Sequence, residues 1–365
     1  MQSKKAAARL ALASVTTFSA AVALAAAPVA YVSSETGGVG VIDLDQMTIA
    51  RTFAVGDDGP RGLSLTDDGT RLLVANKKTA DLSEIDTATG KVVRRVKIGQ
   101  NPEFVRVYRG YAYVTYEPGE NGGPPKGAEG PPGASGAAGA SGGAAGHGKD
   151  DDDANSPPAE IAIVDLKTLR VIRSVKSGHE TEGVEFSADG KELLVTNEGD
   201  DTVSVYHVVT GKPMRGIKLD HGSRPRGIKR SPDGKQYVVT LENTNKFVVL
   251  DARSLKPVKT VDTKMGPYGV AFDPSGKHLL VAAARGKTLQ VFDATSYDHV
   301  SDVPVGQRCW HFSFTPDGSK VLLACGRSNA VYVLDASSYQ TVKQIEGLPL
   351  PWGVVTYPRS SGSIE

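Results

Sequence analysis

Residues 309–311 read Cys-Trp-His, a thiol, an indole and an imidazole in a row. Such neighbours could supply a nucleophile with its base, or part of a metal site. The rest of the chain offers little to complete either. The remaining histidines are His147, His179, His207, His221, His278 and His299, and no H-x-H, H-E-x-x-H or C-x-x-C spacing occurs. His179, His221 and His311 fall in or beside loops that could meet in space, which is the one metal constellation left open. There is no G-x-S-x-G elbow, no phosphate-cradling loop and no C-x-x-C-H haem attachment. Asp150–Asp153 lack the spaced oxygens of a calcium loop. No cofactor is called for.

Cys309 and Cys325 are the only cysteines. Hairpin pairing about Pro316 and Ser319 sets Cys325 opposite Trp310, one residue from Cys309. A disulfide is feasible there; the preferred reading is two unbonded thiols, with Cys325 a small buried apolar residue.

The elements that must position these residues are short strands. Runs rich in Val, Ile, Leu and Tyr alternate with Gly, Asp and Pro turns, and no long amphipathic helical pattern appears. The segment "VGVIDLDQMTIARTFAVG" (39–56) recurs six more times, anchored at Asp43, Asp86, Asp165, His207, Asp251, Asp293 and Asp335. Successive gaps are 43, 79, 42, 44, 42 and 42. His207 stands where the other copies have Asp and reads as a structural variant. A second unit, G-V-x-F-x-x-D-G-K followed by an apolar strand, is a hairpin signal. Together they make four strands per repeat.

Seven such repeats predict an all-β, seven-bladed β-propeller of four-stranded blades. The chain begins on the second strand of a blade at Tyr31 and ends with a lone first strand, "PWGVVTYP". The N- and C-terminal strands should therefore share one blade. The long gap holds a Gly/Pro/Asp-rich insertion, residues 118–158, with glycine at every third position from Gly127 to Gly142. It contains too few triplets for a stable triple helix and reads as a solvated loop in the third blade. Its root should lie on the face that carries the mouth of the central channel.

Residues 1–25 read as a signal peptide. Lys4, Lys5 and Arg9 precede an apolar run from Leu10, and Ala23-Leu24-Ala25 forms an A-x-A site. Residues 26–365 then form one exported domain, periplasmic or secreted, with no membrane span after cleavage. The 42 Lys and Arg balance 41 Asp and Glu, which argues against a nucleic-acid partner.

Aligning the residue before each inner strand gives Arg61, Glu103, Glu182, Arg226, Tyr268, Trp310 and Trp352. The sequence has two tryptophans, and both occupy this column. A ring of three consecutive aromatics facing two Arg and two Glu is suited to a small ligand or a protein partner. Arg308 and His311 are candidate supports for Trp310. The opposing reading is that these side chains only plug the channel.

The repeats "AYVSSE", "LLVAN", "LLVTN", "VIDLDQMT" and "SPDGK" resemble the YVTN β-propeller family. "NPEFVRV", "SRPRG", "VGQRCW" and "PWGVV" are similar to its seven-repeat group associated with pyrroloquinoline-quinone-dependent catabolism. That resemblance implies a non-catalytic protein of a periplasmic alcohol or aldehyde oxidation system. Its partners would be a quinoprotein dehydrogenase, a cytochrome or a transport component. The resemblance does not extend to the eight-bladed dehydrogenases themselves, because "DTATGKVVRR" has Arg where their docking motif has Trp. Two other readings remain: a lactonase-like hydrolase using the mouth Arg and Glu residues, and a cell-surface or structural interaction protein.

Overall fold

In the computed structural model, residues 27–56, 58–118 and 157–365 are described. The signal-peptide and most of the insertion readings lie outside them. The described residues form seven four-stranded antiparallel sheets. Blade 1 is built from β28 (Pro351–Tyr357), β1 (Val29–Ser34), β2 (Gly38–Asp43) and β3 (Thr48–Phe53), in that order. The two ends of the chain thus close the ring in one sheet, as expected. The inner strands of blades 2 to 7 are β4 (Pro60–Leu65), β8 (Val105–Tyr108), β12 (Thr181–Phe186), β16 (Pro225–Arg230), β20 (Pro267–Phe272) and β24 (Cys309–Phe314).

The second strand of each blade is buried along nearly its whole length; Leu72, Leu73, Val74 and Ala75 are all fully buried. Both faces of a blade are covered by neighbouring blades, so these strands read as continuous apolar runs rather than alternating ones. The outer strands carry charges on an exposed edge, which discourages pairing with other chains.

The repeat anchors have a local cause. Asp43, Asp86, Asp165, Asp251, Asp293 and Asp335 each accept a main-chain N–H three residues on, at 2.7–2.9 Å, fixing the turn before the outer strand. At His207, ring Nδ1 lies 3.2 Å from the N–H of Thr210 and fills the same role.

Basic side chains on the outer strands then staple six of the seven pairs of neighbouring blades, all but blades 6 and 7. Arg51 donates to the carbonyls of Thr87 and Ala88, Arg94 to Leu166 and Lys167, Arg173 to Val209 and Arg215 to Ala252. Lys259 reaches Ser296, and Lys343 of blade 7 reaches Gln46 of blade 1 across the closure.

The cysteines correct the sequence reading. Cys309 and Cys325 form a disulfide. A register shift between Cys309 and Phe312 brings Cys309, not Trp310, opposite Cys325. The same shift recurs after Pro60, Thr181, Pro225 and Pro267. It is a bulge built into the inner strand, which an even hairpin count from the turn does not reveal.

Candidate functional site

The bulge is what creates the mouth. The ring residue is the second residue of its inner strand in six blades, and Glu103 lies just ahead of β8. Two residues earlier, every blade places a residue in the left-handed region. These are Gly59, Asn101, Glu180, Arg224, Gly266, Arg308 and Leu350, with φ between 46° and 68°. Five are not glycine, and each stores roughly 1 kcal/mol of backbone strain. The strain is held by a main-chain bond: the N–H of the residue following the second strand donates to the carbonyl of the left-handed residue. Examples are Lys77 to Gly59 at 2.9 Å, Glu198 to Glu180 at 2.9 Å and Gly326 to Arg308 at 2.9 Å.

Three stacked rings follow from this arrangement. The first is the predicted one. The second is the left-handed set. The third is the residue after each second strand: Glu35, Lys77, Glu117, Glu198, Glu242, Ala284 and Gly326. All seven predicted ring residues, together with Arg308, line one cavity of about 260 Å3 at the channel mouth. Glu35, Lys77, Glu117, Glu180, Glu198, Arg224 and Glu242 line it too, and sequence reasoning missed them. The signal was present as a repeat column, legible in "VSSE", "VANK", "VTYE", "VTNE" and "VTLE". Tyr116, Glu117 and Ala159, at the two ends of the insertion, border the cavity, so its root lies at the mouth as expected.

Most of the charge is self-matched. Arg226 pairs with Glu182 and Glu242, each at 2.6 Å, and with Glu198. Its guanidinium also lies 4.8 Å from the centroid of the Tyr268 ring. Burial works against the Arg226 charge, but Glu198, Glu182 and Glu242 outweigh it and hold the group above its ordinary pKa. Burial pushes the Glu198 carboxyl up, with Arg226 opposing and Glu182 adding to the rise. Arg61 pairs with Glu35 at 2.9 Å and with Glu103.

Lys77 differs. Its ammonium has no hydrogen bond or ion pair among the described residues, yet it lines the cavity. Burial and the nearby Arg61 lower its pKa, while Glu35, Glu117 and Glu182 pull it back. Glu117 is likewise unpaired with any cation among the described residues and accepts only from Asn101, at 2.8 Å.

His311 does not reach the cavity. It is 2% exposed and lies beneath it, with ring centroids 4.4 Å from Trp352, 5.3 Å from Tyr268 and 5.9 Å from Phe104. The reason is its repeat position. The residue after the ring residue is glycine in five blades, and in Gly62, Gly183, Gly227 and Gly269 a Cβ would crowd the carbonyl oxygen of the next ring residue. The other two blades have Phe104 and His311, whose side chains turn into the channel and close it. Burial drives His311 down to a pKa of about 3, so the ring is neutral. Its Nδ1 is 3.1 Å from Ser363 Oγ, and its Nε2 has no partner. His179 pairs with Asp200 at 2.8 Å and His221 lies 3.5 Å from Asp201. The three histidines do not converge, and no cluster of metal-binding side chains exists among the described residues.

A family model described as the cytochrome D1 heme domain matches residues 156–309. No curated protein matches the chain. Among solved structures, the chain is similar to the periplasmic gluconolactonase of Pseudomonas aeruginosa, at 19% identity and TM-score 0.69, over 90% of this chain and 98% of that one. It is also similar to hydrazine synthase of Kuenenia stuttgartiensis, at 20% identity and TM-score 0.63, over 82% and 89%. A protein from Lactobacillus plantarum gives 16% identity and TM-score 0.70, over 90% and 98%. At these identities the likeness establishes the seven-bladed propeller fold.

The described lining does not fit a haem. Among the described residues no His, Cys or Met lines the mouth, and a haem iron needs an axial donor of that kind or a free tyrosine. The Tyr116 hydroxyl is bonded to Glu160 and Ser174. The Tyr268 hydroxyl lies 3.5 Å from both Arg226 Nη1 and Glu182 Oε2.

Proposed function

We propose that the mouth binds a small hydroxylated molecule carrying a carbonyl or carboxylate oxygen, of the kind that alcohol and aldehyde oxidation produces. The observation that carries this is Lys77, an ammonium at the rim of the cavity that has no hydrogen bond or ion pair among the described residues. An oxygen of the ligand would pair with it in a charge-assisted hydrogen bond. Trp310 and Trp352 would supply a flat apolar wall, and the lining glutamates would accept from hydroxyls. The reading assumes an exported protein, and the disulfide fits an oxidising compartment. The association with a quinoprotein dehydrogenase, cytochrome or transport component rests on the loop motifs. The test is a thermal-shift screen of gluconate, glucono-1,5-lactone and pyrroloquinoline quinone against the wild type and Lys77→Met. Stabilisation of the wild type alone supports the site; no shift with any compound overturns it.

A second reading, lactone hydrolysis, is favoured by the gluconolactonase likeness and by the Lys77–Glu117 arrangement. Glu117 would take a proton from water, the hydroxide would add to the lactone carbonyl, Lys77 would stabilise the oxyanion, and Glu117 would return the proton to the ring oxygen as its bond to the carbonyl carbon breaks. Arg61 and Arg226 are already committed to carboxylates and are poorly placed for that role. Glucono-1,5-lactone opening measured with wild type and Glu117→Gln separates catalysis from binding. A rate that Glu117→Gln abolishes makes the protein an enzyme.

A further inference from the structure

The end of the channel opposite the mouth holds a second cavity, of about 310 Å3. Segment 359–365 crosses beneath the channel there. Main-chain bonds join Phe314 to Ser361 at 2.8 Å and Ser363 to Phe312 at 2.9 Å, and Ile364 is buried in the core. Three cations line the cavity: Arg106, Lys229 and Arg230.

Three carboxylates line it as well, but they are engaged by the protein. Asp273 accepts from the N–H of Lys277 and from Ser275 Oγ, each at 2.8 Å. Glu365 accepts from Ser313 Oγ at 3.1 Å and from the N–H of Thr356 at 3.3 Å. Glu185 accepts the N–H of Phe186 at 2.8 Å.

The cations are under-matched by comparison. The Arg230 guanidinium has no hydrogen bond or ion pair among the described residues, and its Nε is buried without a partner. Arg106 reaches only the Val184 carbonyl at 3.3 Å and Glu185 at 3.6 Å. Lys229 is 6% exposed; its ammonium donates to the main-chain oxygen of Glu365 and lies 4.0 Å from Glu185. Phe272, Pro232 and Pro274 form the apolar part of the wall.

We infer that this cavity is a second ligand site, which takes a small organic carboxylate. Arg230 and Lys229 hold the carboxylate oxygens, and its carbon chain lies against Phe272, Pro232 and Pro274. A guanidinium whose Nε is buried with no partner is costly, and a bidentate carboxylate matches its geometry. Burial, with Arg106 adding to it, lowers the Lys229 amine to about 7. A bound anion reverses that balance, so at pH 8 binding draws a proton onto Lys229.

The test is isothermal calorimetry of butyrate and acetate at pH 8, in two buffers of different protonation enthalpy. Saturable binding is expected, tighter for butyrate, with buffer-dependent heat that reports proton uptake. Arg230→Met should weaken it about tenfold, Arg230→Lys should weaken it less because the charge stays while the bidentate fork is lost, and Lys77→Met should leave it unchanged. Any one of three results overturns the inference: no binding of either acid, wild-type affinity in Arg230→Met, or loss of binding in Lys77→Met, which would place the ligand in the mouth.

Discussion

The indole of Trp310 occupies the space that a side chain on Gly326 would fill; a Cβ there would overlap the six-membered ring. Gly326 is the blade-7 member of the column that holds Glu or Lys in blades 1 to 5. Trp310 can thus take its place in the aromatic wall because the third ring has no side chain in blade 7. Gly326→Ala is expected to displace Trp310 and to destabilise the fold by about 1–3 kcal/mol, as overpacking does. Thermal melting and the Trp310 emission of Gly326→Ala in a Trp352→Phe background check this.

The disulfide pins the same corner. Cys309 and Cys325 are 16 residues apart and flank Trp310 and Gly326. A loop of that length gives roughly 3 kcal/mol in the chain-entropy account. Reduction, or Cys309→Ser with Cys325→Ser, should lower the melting temperature while leaving the far-ultraviolet circular dichroism unchanged. An unaltered melting temperature would refute a structural role for the bond.

Arg226 pairs with three glutamates. Arg226→Met leaves buried Glu182 with no ion-pair partner among the described residues, while Glu198 keeps Arg224 and Glu242 keeps Arg285 and Arg308, each at 3.8 Å. The expected cost is about 3–5 kcal/mol at pH 8, because an unpaired buried charge remains. Acidification toward pH 5 should recover part of it as carboxyls take up protons. Denaturation of the variant at the two pH values reads the difference.

His311 gives a signed pH dependence. Its pKa is about 3 in the fold against an ordinary value of 6.5, so the unfolded chain binds the extra proton. The stability it contributes is fully present above about pH 6.5 and is lost as pH falls toward 3. His311→Gln should therefore lose less stability than wild type between pH 7 and pH 4. Parallel losses in urea denaturation at those pH values would contradict the assignment.

The blades were legible because each turn is fixed locally. Asp43 and its equivalents cap one turn by a side-chain bond, and even His207 follows the rule. The first ring was legible because Pro precedes Arg61, Glu103, Arg226, Tyr268 and Trp352. Three features were not. The disulfide register depends on a bulge that an even strand count misses. The closing of the channel depends on Phe104 and His311 replacing glycine in blades on opposite sides of the ring. Lys77 and its column follow strands whose motif ends in "VAN" or "VTN", one residue short of the cavity.

Both tryptophans line the mouth, so tryptophan emission, excited selectively over the twelve tyrosines, reports on this site. The most direct measurement is a fluorescence titration of wild type and Lys77→Met with gluconate and glucono-1,5-lactone. The account predicts a saturable change in the wild type that Lys77→Met abolishes, with the variant's melting temperature retained. No saturable change in the wild type, or the same change in Lys77→Met, would contradict a ligand site at the channel mouth.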